Sequence, residues 1–201
     1  MSTPAHKKIT LAQIKASADS LGVPLAAMRA VHEVESKGEG FLSTGEPVIL
    51  FEPHIFYKRL TKKGLLDIRA KVMRERPDLC YPKWKPKSYG VEGSYQHQRL
   101  TAASQYHRES ALESASWGLG QVMGFNWKDL GYPTLQAFIN AQYKDEGAQL
   151  DTMCRFIRQN KLVDALKNKD WSAFAYRYNG ESYRANNYHG KLAAAFKKFN
   201  A

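Results

Sequence analysis

Three short stretches of this chain carry side chains that could do chemistry together. The first is Val31-His32-Glu33-Val34-Glu35-Ser36-Lys37-Gly38-Glu39-Gly40-Phe41. An apolar, helix-period segment leads to Glu35 and glycines follow at once, so its carboxyl is expected at a helix end beside a hinged loop. Partial desolvation there favours the protonated form of a carboxyl. A carboxyl that keeps its proton can protonate a leaving group, as cleavage of a glycosidic bond requires. The second stretch, Ser116-Trp117-Gly118-Leu119-Gly120-Gln121-Val122-Met123-Gly124, offers a glycine-flanked amide for sugar hydroxyls or an acetamido group. The third, Ala175-Tyr176-Arg177-Tyr178-Asn179-Gly180, places a phenol and an amide at a helix end. Rings give flat faces for sugars and amides give orienting hydrogen bonds. Each piece is common by chance. The three in this order are a strong signal.

Around Glu35 the roles divide. Ser36 either bonds substrate or caps the following turn. Gln121 and Asn179 are substrate-side amides or loop braces, and Tyr178 orients Glu35 or packs the cleft wall. Trp117 and Trp84 are candidate sugar platforms whose ordinary role is to anchor a core or loop; Trp117, beside the glycine loop, is the stronger of the two. Glycosidases pair their acid with a second carboxylate, set farther away for inversion or nearer for retention. Glu52, between Phe51 and Pro53 and near His54, is the first candidate; its ordinary alternative is a salt bridge or cap. Glu46 is a weaker candidate. Glu146 falls on an apolar stripe, where a carboxylate needs a partner, and is read as structural. His32 and His54 are single histidines without a ligand cluster, so neither a metal nor a cofactor is expected.

The elements that must position these groups are mostly helical. Thr10-Leu11-Ala12-Gln13 is a capping-box pattern. Leu11, Ile14, Ala18 and Leu21 then share a face that Gly22 ends. Pro24 opens a second helix through Leu25, Met28, Val31 and Val34 to Glu35. Residues 47–56 read as one short strand broken by Pro53, and a helix follows over Leu65 to Arg74. Residues 77–93 form an irregular excursion at a cleft lip. Ser94 to Glu113 is helical, and Ser114 to Gly131 is loop with a short helical piece. One long helix is expected from Thr134 to Gln159, with the stripe Leu135, Ile139, Gln142, Glu146, Leu150, Met153 and Ile157. Shorter helices cover Leu162 to Lys167, Trp171 to Tyr178 and Tyr188 to Phe199.

The chain has 201 residues and a formal net charge of +11. That length fits one domain with a real core, and the charge points to a polyanionic partner. Basic residues are dispersed and no run resembles a nucleic-acid arm, so nucleic acid is not expected as partner. No apolar run approaches membrane-spanning length. The N-terminus lacks an apolar signal core. Cys80 and Cys154 make no disulfide framework; whether they pair is open.

The three motifs resemble those of the lysozyme-like superfamily, in particular goose-type lysozymes and soluble lytic transglycosylases. Against that family's Gly-Leu-Met-Gln this chain has Gly118-Leu119-Gly120-Gln121. Against Ala-Tyr-Asn-x-Gly it has Arg177-Tyr178-Asn179-Gly180. A closer similarity is to the N-acetylmuramidase domain of phage endolysins of Gram-negative hosts. It is carried by Val34-Glu35-Ser36-x-Gly38-x-Gly40-Phe41, by residues 49–56 and 114–124, by Glu146 with Gln149-Leu150, and by Tyr178-Asn179-Gly180. The resemblance covers nearly all of the chain after residue 10. It implies a mainly α, lysozyme-like fold: a helical bundle with a small β and loop lobe bordering a cleft. It implies one catalytic domain over residues 1–201 without a separate wall-binding domain, and a monomer. It implies cleavage of the β-1,4 bond between N-acetylmuramic acid and N-acetylglucosamine, with Glu35 as general acid. Peptidoglycan and the anionic envelope are then the partners, reached in the periplasm after holin-type release from the cytoplasm. The alternatives are a lytic transglycosylase with 1,6-anhydromuramic products, or a non-catalytic wall-binding or virion protein.

Overall fold

The computed structural model describes residues 3–35, 39–85 and 89–201. The described residues form ten α-helices and one three-stranded antiparallel sheet of order β1-β2-β3. In chain order these are α1 (Leu11–Leu21), α2 (Leu25–Glu35), β1 (Ile49–Phe51), α3 (Pro53–Lys62), α4 (Leu66–Glu75), α5 (Ser94–Glu113), β2 (Ala115–Trp117), β3 (Val122–Met123), α6 (Leu135–Lys144), α7 (Glu146–Gln159), α8 (Val163–Lys167), α9 (Trp171–Asn179) and α10 (Tyr188–Phe199). The expected mainly α architecture with a small β part is what the chain adopts.

Two apolar cores support it. One gathers β1, β2 and α3 to α6 around Phe51, Phe56, Leu60, Leu100, Trp117 and Phe138. The other gathers α1, α2 and α7 to α10 around Met28, Val31, Met153, Phe174 and Leu192. Cys80 lies in the first core and Cys154 in the second; both thiols are free, and burial pushes each up to about 11. Among the described residues no helix is long and apolar enough to cross a membrane.

Local chemistry explains most boundaries. Thr10 and Gln13 make both halves of the capping box, and Gly22 closes α1 in the left-handed region at φ 64°. Leu11, expected on the buried face of α1, is 57% exposed instead. As the residue next to the cap, it starts the helix before the turn meets its neighbours.

Three expectations need correction. The strand expected over 47–56 is only Ile49–Phe51, because Pro53 begins α3 at its first position, where a missing N–H costs nothing. The stretch 114–131, expected as loop with a short helical piece, has that piece as a 3-10 turn at Gly124–Asn126 but also holds the β2–β3 hairpin, in which Trp117 pairs with Val122. The helix expected over 134–159 is two, broken at Asp145, which is extended (φ −163°, ψ 171°) and caps α7 by accepting from the Ala148 amide at 2.8 Å. The stripe itself holds, since Leu135, Ile139, Gln142, Glu146, Leu150, Met153 and Ile157 are all buried.

Candidate active site

Glu35 is the last residue of α2 and Asn179 the last of α9. The two helix ends meet: Asn179 Nδ2 donates to Glu35 Oε1 at 3.0 Å, and both side chains are half-buried. Tyr178, one residue earlier, donates its hydroxyl to the Gly120 carbonyl at 3.2 Å. Its ring stacks on Phe174 at 5.3 Å and meets the edge of Phe156 at 5.4 Å. Burial, and then the charge of Glu35, push the Tyr178 phenol well up, so it stays a proton donor. Tyr188, at the start of α10, is raised by the same two causes. This places a second phenol within electrostatic reach of Glu35.

The glycine loop between β2 and β3 meets Tyr178 through the Gly120 carbonyl. Gly118 sits at φ 65°, where a Cβ would stand 2.6 Å from the Gln149 carboxamide carbon. At position 120, where the related motif carries Met, a Cβ would lie 2.9 Å from the Tyr178 hydroxyl and 3.0 Å from Met153. A side chain there would press on both, so this packing favours glycine. Gln121 adopts φ 47°, and its side chain is consumed locally. It accepts from Ser116 Oγ at 2.8 Å and donates to the Gly118 carbonyl at 2.9 Å. Its backbone strain, on the order of 1 kcal/mol, is offset by those two bonds. The geometry is that of a loop brace, although the residue is exposed.

Helix α7 ties the loop after Glu35 to the glycine loop. Glu146, 4% exposed, accepts from the Gly40 amide (2.9 Å), the Ile9 amide (2.9 Å) and the Thr3 hydroxyl (3.0 Å). Gln149 donates to the Gly40 carbonyl at 3.1 Å and accepts from the Leu119 amide at 3.0 Å. The structural reading of Glu146 agrees with this, and its partners are backbone amides and a hydroxyl.

Glu52 lies on the partly open face of the sheet. Side chains alternate along a strand, so Val48, Leu50 and Glu52 share one face while Ile49 and Phe51 enter the core. Leu50 pairs with Ser116, which places the Ser116–Gln121 brace on that same face. Glu52 Oε2 accepts from the Tyr89 hydroxyl at 2.7 Å and lies 3.3 Å from His54 Nδ1. Burial raises its pKa, opposed by the Tyr89 bond and by Arg99. Tyr89 is held in turn, its carbonyl accepting from Gln96 and Arg99. Tyr89, and with it the end of the excursion that leads into α5, is thereby anchored to Glu52.

The remaining candidates fall elsewhere. Trp117 is 1% exposed and donates to the Leu112 carbonyl, an anchor rather than a platform, whereas Trp84 is 58% exposed. Glu46 faces His97, at 3.9 Å, and its charge adds to burial, the larger cause, in raising the Tyr143 phenol. Ser36 lies outside the described residues. Sequence reasoning missed Tyr89 and Tyr188; both are tyrosines just outside motifs, and no local pattern distinguishes them. Among the described residues no group of three or more His, Cys, Asp or Glu side chains could hold a metal ion.

With Glu35, its amide partner Asn179 and the glycine loop in place, the comparisons are specific. The sequence matches the N-acetylmuramidase family over residues 24–200. The chain belongs to that family. A solved structure, that of the endolysin of Burkholderia phage AP3, superposes with a TM-score of 0.88 at 42% identity. The match covers 96% of this chain and 71% of that one. No curated protein matches. As a muramidase the chain is a glycoside hydrolase of peptidoglycan, and the resemblance read from its motifs stands.

Proposed function

We propose that this muramidase is a phage-type endolysin in which Glu35 is the general acid and Glu52 the second carboxylate. The observation that carries it is the Asn179 amide on Glu35 Oε1. An amide N–H marks that oxygen as an acceptor, so the transferable proton belongs on Oε2. The proton passes from Oε2 to the glycosidic oxygen between N-acetylmuramic acid and N-acetylglucosamine. Positive charge develops at the muramic acid anomeric carbon and is stabilised by the dipoles of the cleft. Glu52, on the open sheet face, takes a proton from the water that attacks that carbon. Its desolvation makes it a better base.

The net charge of +11 suits a polymer bearing lactyl and peptide carboxylates, and contact with an anionic envelope. The protein acts as a monomer on the periplasmic wall, reached through a separate membrane lesion. A lytic transglycosylase would use the same acid but direct the muramic acid 6-hydroxyl at the anomeric carbon. Mass spectrometry of muropeptides released by wild type and by Glu35→Gln decides between them. Products carrying one added water, absent with Glu35→Gln, are expected. Anhydro ends alone would overturn the hydrolytic step, and undiminished release by Glu35→Gln would overturn the acid.

A further inference from the structure

A groove of about 530 Å³ runs between α5 and α6, and Glu35, Asn179 and the Gly118–Gln121 loop contribute nothing to its lining. The alternation that turns Ser116 toward Gln121 turns Trp117 the other way, and Trp117 lines this groove together with Leu100, Leu112 and Ile139. The site described above uses none of its rim. Its volume falls in the range of roughly 300–1,000 Å³ typical of small-molecule sites.

The lining has a definite chemistry. Its floor is apolar, and Tyr143, 39% exposed, stands as a wall with its ring 6.3 Å from that of Trp117. The rim is a row of carboxamides and hydroxyls: Gln105, Gln136, Asn140, Thr101 and Ser104. Arg108 donates to Gln136 Oε1 at 2.5 Å, and Gln136 donates to Asn140 Oδ1 at 2.8 Å. These bonds fix both carboxamides and leave the Asn140 amine as an oriented donor. The formal charges balance, Arg108 at one part of the rim against Glu46 at another. The groove therefore has no charge preference of its own, despite the basic charge of the whole chain, and what it can read is the sugar backbone rather than its carboxylates. Flat C–H faces, hydroxyls and acetamido groups match the ring wall, the apolar floor and the amide row.

We propose that the groove between α5 and α6 is a second, non-catalytic site that holds an N-acetylated glycan chain while the cleft cuts another segment. The proposal rests on the muramidase reading for the identity of the polymer. Because the two sites share no lining residue, their occupants do not compete. Holding one stretch of wall raises the effective concentration of others at the cleft.

The test uses the full chain. In Glu35→Gln, amide resonances are followed by NMR during titration with the β-1,4 tetramer of N-acetylglucosamine to millimolar concentration. Two groups of shifts are expected, one around Gly118, Gly120 and Asn179 and one around Gln105, Gln136 and Asn140. Adding Asn140→Ala and Tyr143→Ala, both at exposed positions, should abolish the second group alone. In the Glu35 parent the same pair should weaken binding to insoluble sacculi about tenfold and slow their digestion, with turnover of short soluble glycan unchanged. Groove resonances that do not move, or that move only with a soluble stem peptide, would overturn the glycan site, as would undiminished sacculus binding by the double variant. Failure of the muramidase reading looks different: no soluble glycan turnover and no shifts at the cleft, whatever the groove does.

Discussion

Asn179 Nδ2 reaches Glu35 Oε1 at 3.0 Å across 144 residues of sequence, joining the last residue of α9 to the last residue of α2. A carboxyl that must deliver a proton in a fixed direction needs its other oxygen held, and this amide holds it. The arrangement predicts an order of activities. Asn179→Ala removes the hold and should lower kcat roughly 10- to 100-fold with little change in KM, as for a misplaced acid. Asn179→Asp replaces a donor by an acceptor beside Glu35 and should be slower still. Steady-state kinetics on soluble glycan, with matched thermal melts, check the order; equal loss in both variants would leave the donor without a role.

Glu35→Gln keeps an acceptor for Asn179 but has no proton to give. Loss of kcat by about 10²–10⁴-fold is expected, with binding to sacculi and melting temperature retained. Turbidity clearing and a pull-down on the same preparation separate the two effects.

Glu52 is tested by an isosteric change. The Tyr89 hydroxyl can donate to a glutamine oxygen as it does to the carboxylate, so Glu52→Gln should keep Tyr89 in place. Burial disfavours the charged form of Glu52, and removing that charge should leave stability at neutral pH unchanged or higher. Activity should nevertheless fall by about 10²-fold or more. A folded variant with near wild-type turnover would assign Glu52 to anchoring Tyr89 alone.

The motifs made Glu35 and Asn179 legible as candidates, because each ends a helix whose apolar face is written locally; that Asn179, and not Tyr178, donates to Glu35 is set by the packing of α2 and α9. The stripe from Leu135 to Ile157 was legible for the same reason, and it concealed the break at Asp145. Both α6 and α7 bury the same side, so Gln142 and Glu146 continue the pattern across a non-helical residue. Pro53 could be read as ending a strand or as opening a helix, and only the neighbouring core decides. Strands as short as Val122–Met123 are below the length at which alternation can be seen. The Tyr89–Glu52 bond and the opposite burial of Trp117 and Trp84 are tertiary facts, fixed by packing between elements far apart in the chain.

Glu146 is a joint between three segments, and its loss should show in both stability and turnover. Glu146→Ala leaves the Gly40 and Ile9 amides and the Thr3 hydroxyl without their acceptor. Orphaned buried donors make this worth about 2–5 kcal/mol, or roughly 5–15 °C in Tm for a chain of this size. Because Gly40 belongs to the loop that follows Glu35, activity well below the melting range should fall too. Glu146→Gln keeps one acceptor oxygen and should sit between the two. Calorimetry and sacculus digestion at 20 °C measure both quantities, and an unchanged melt would remove Glu146 from the framework.

His32, in the last turn of α2, gives stability a pH dependence with a definite sign. Burial lowers its pKa, opposed by the nearby charges of Glu146 and Glu33, and burial also lowers that of His54. A histidine whose folded pKa lies below its unfolded value of about 6.5 binds its proton more readily when unfolded. Its contribution is therefore full above about pH 6.5 and is lost as pH falls toward the folded value. Glu52, raised in the fold, acts in the opposite sense: its contribution is present below its unfolded value, about 4.5, and is lost as pH rises through the folded one. Between pH 7.5 and 5.5 the histidines should make Tm fall with pH. Growing net positive charge would add to that fall in any variant, so the informative quantity is the difference. His32→Asn should show a smaller drop in Tm over this interval than wild type, and equal drops would mean that His32 is as readily protonated folded as unfolded.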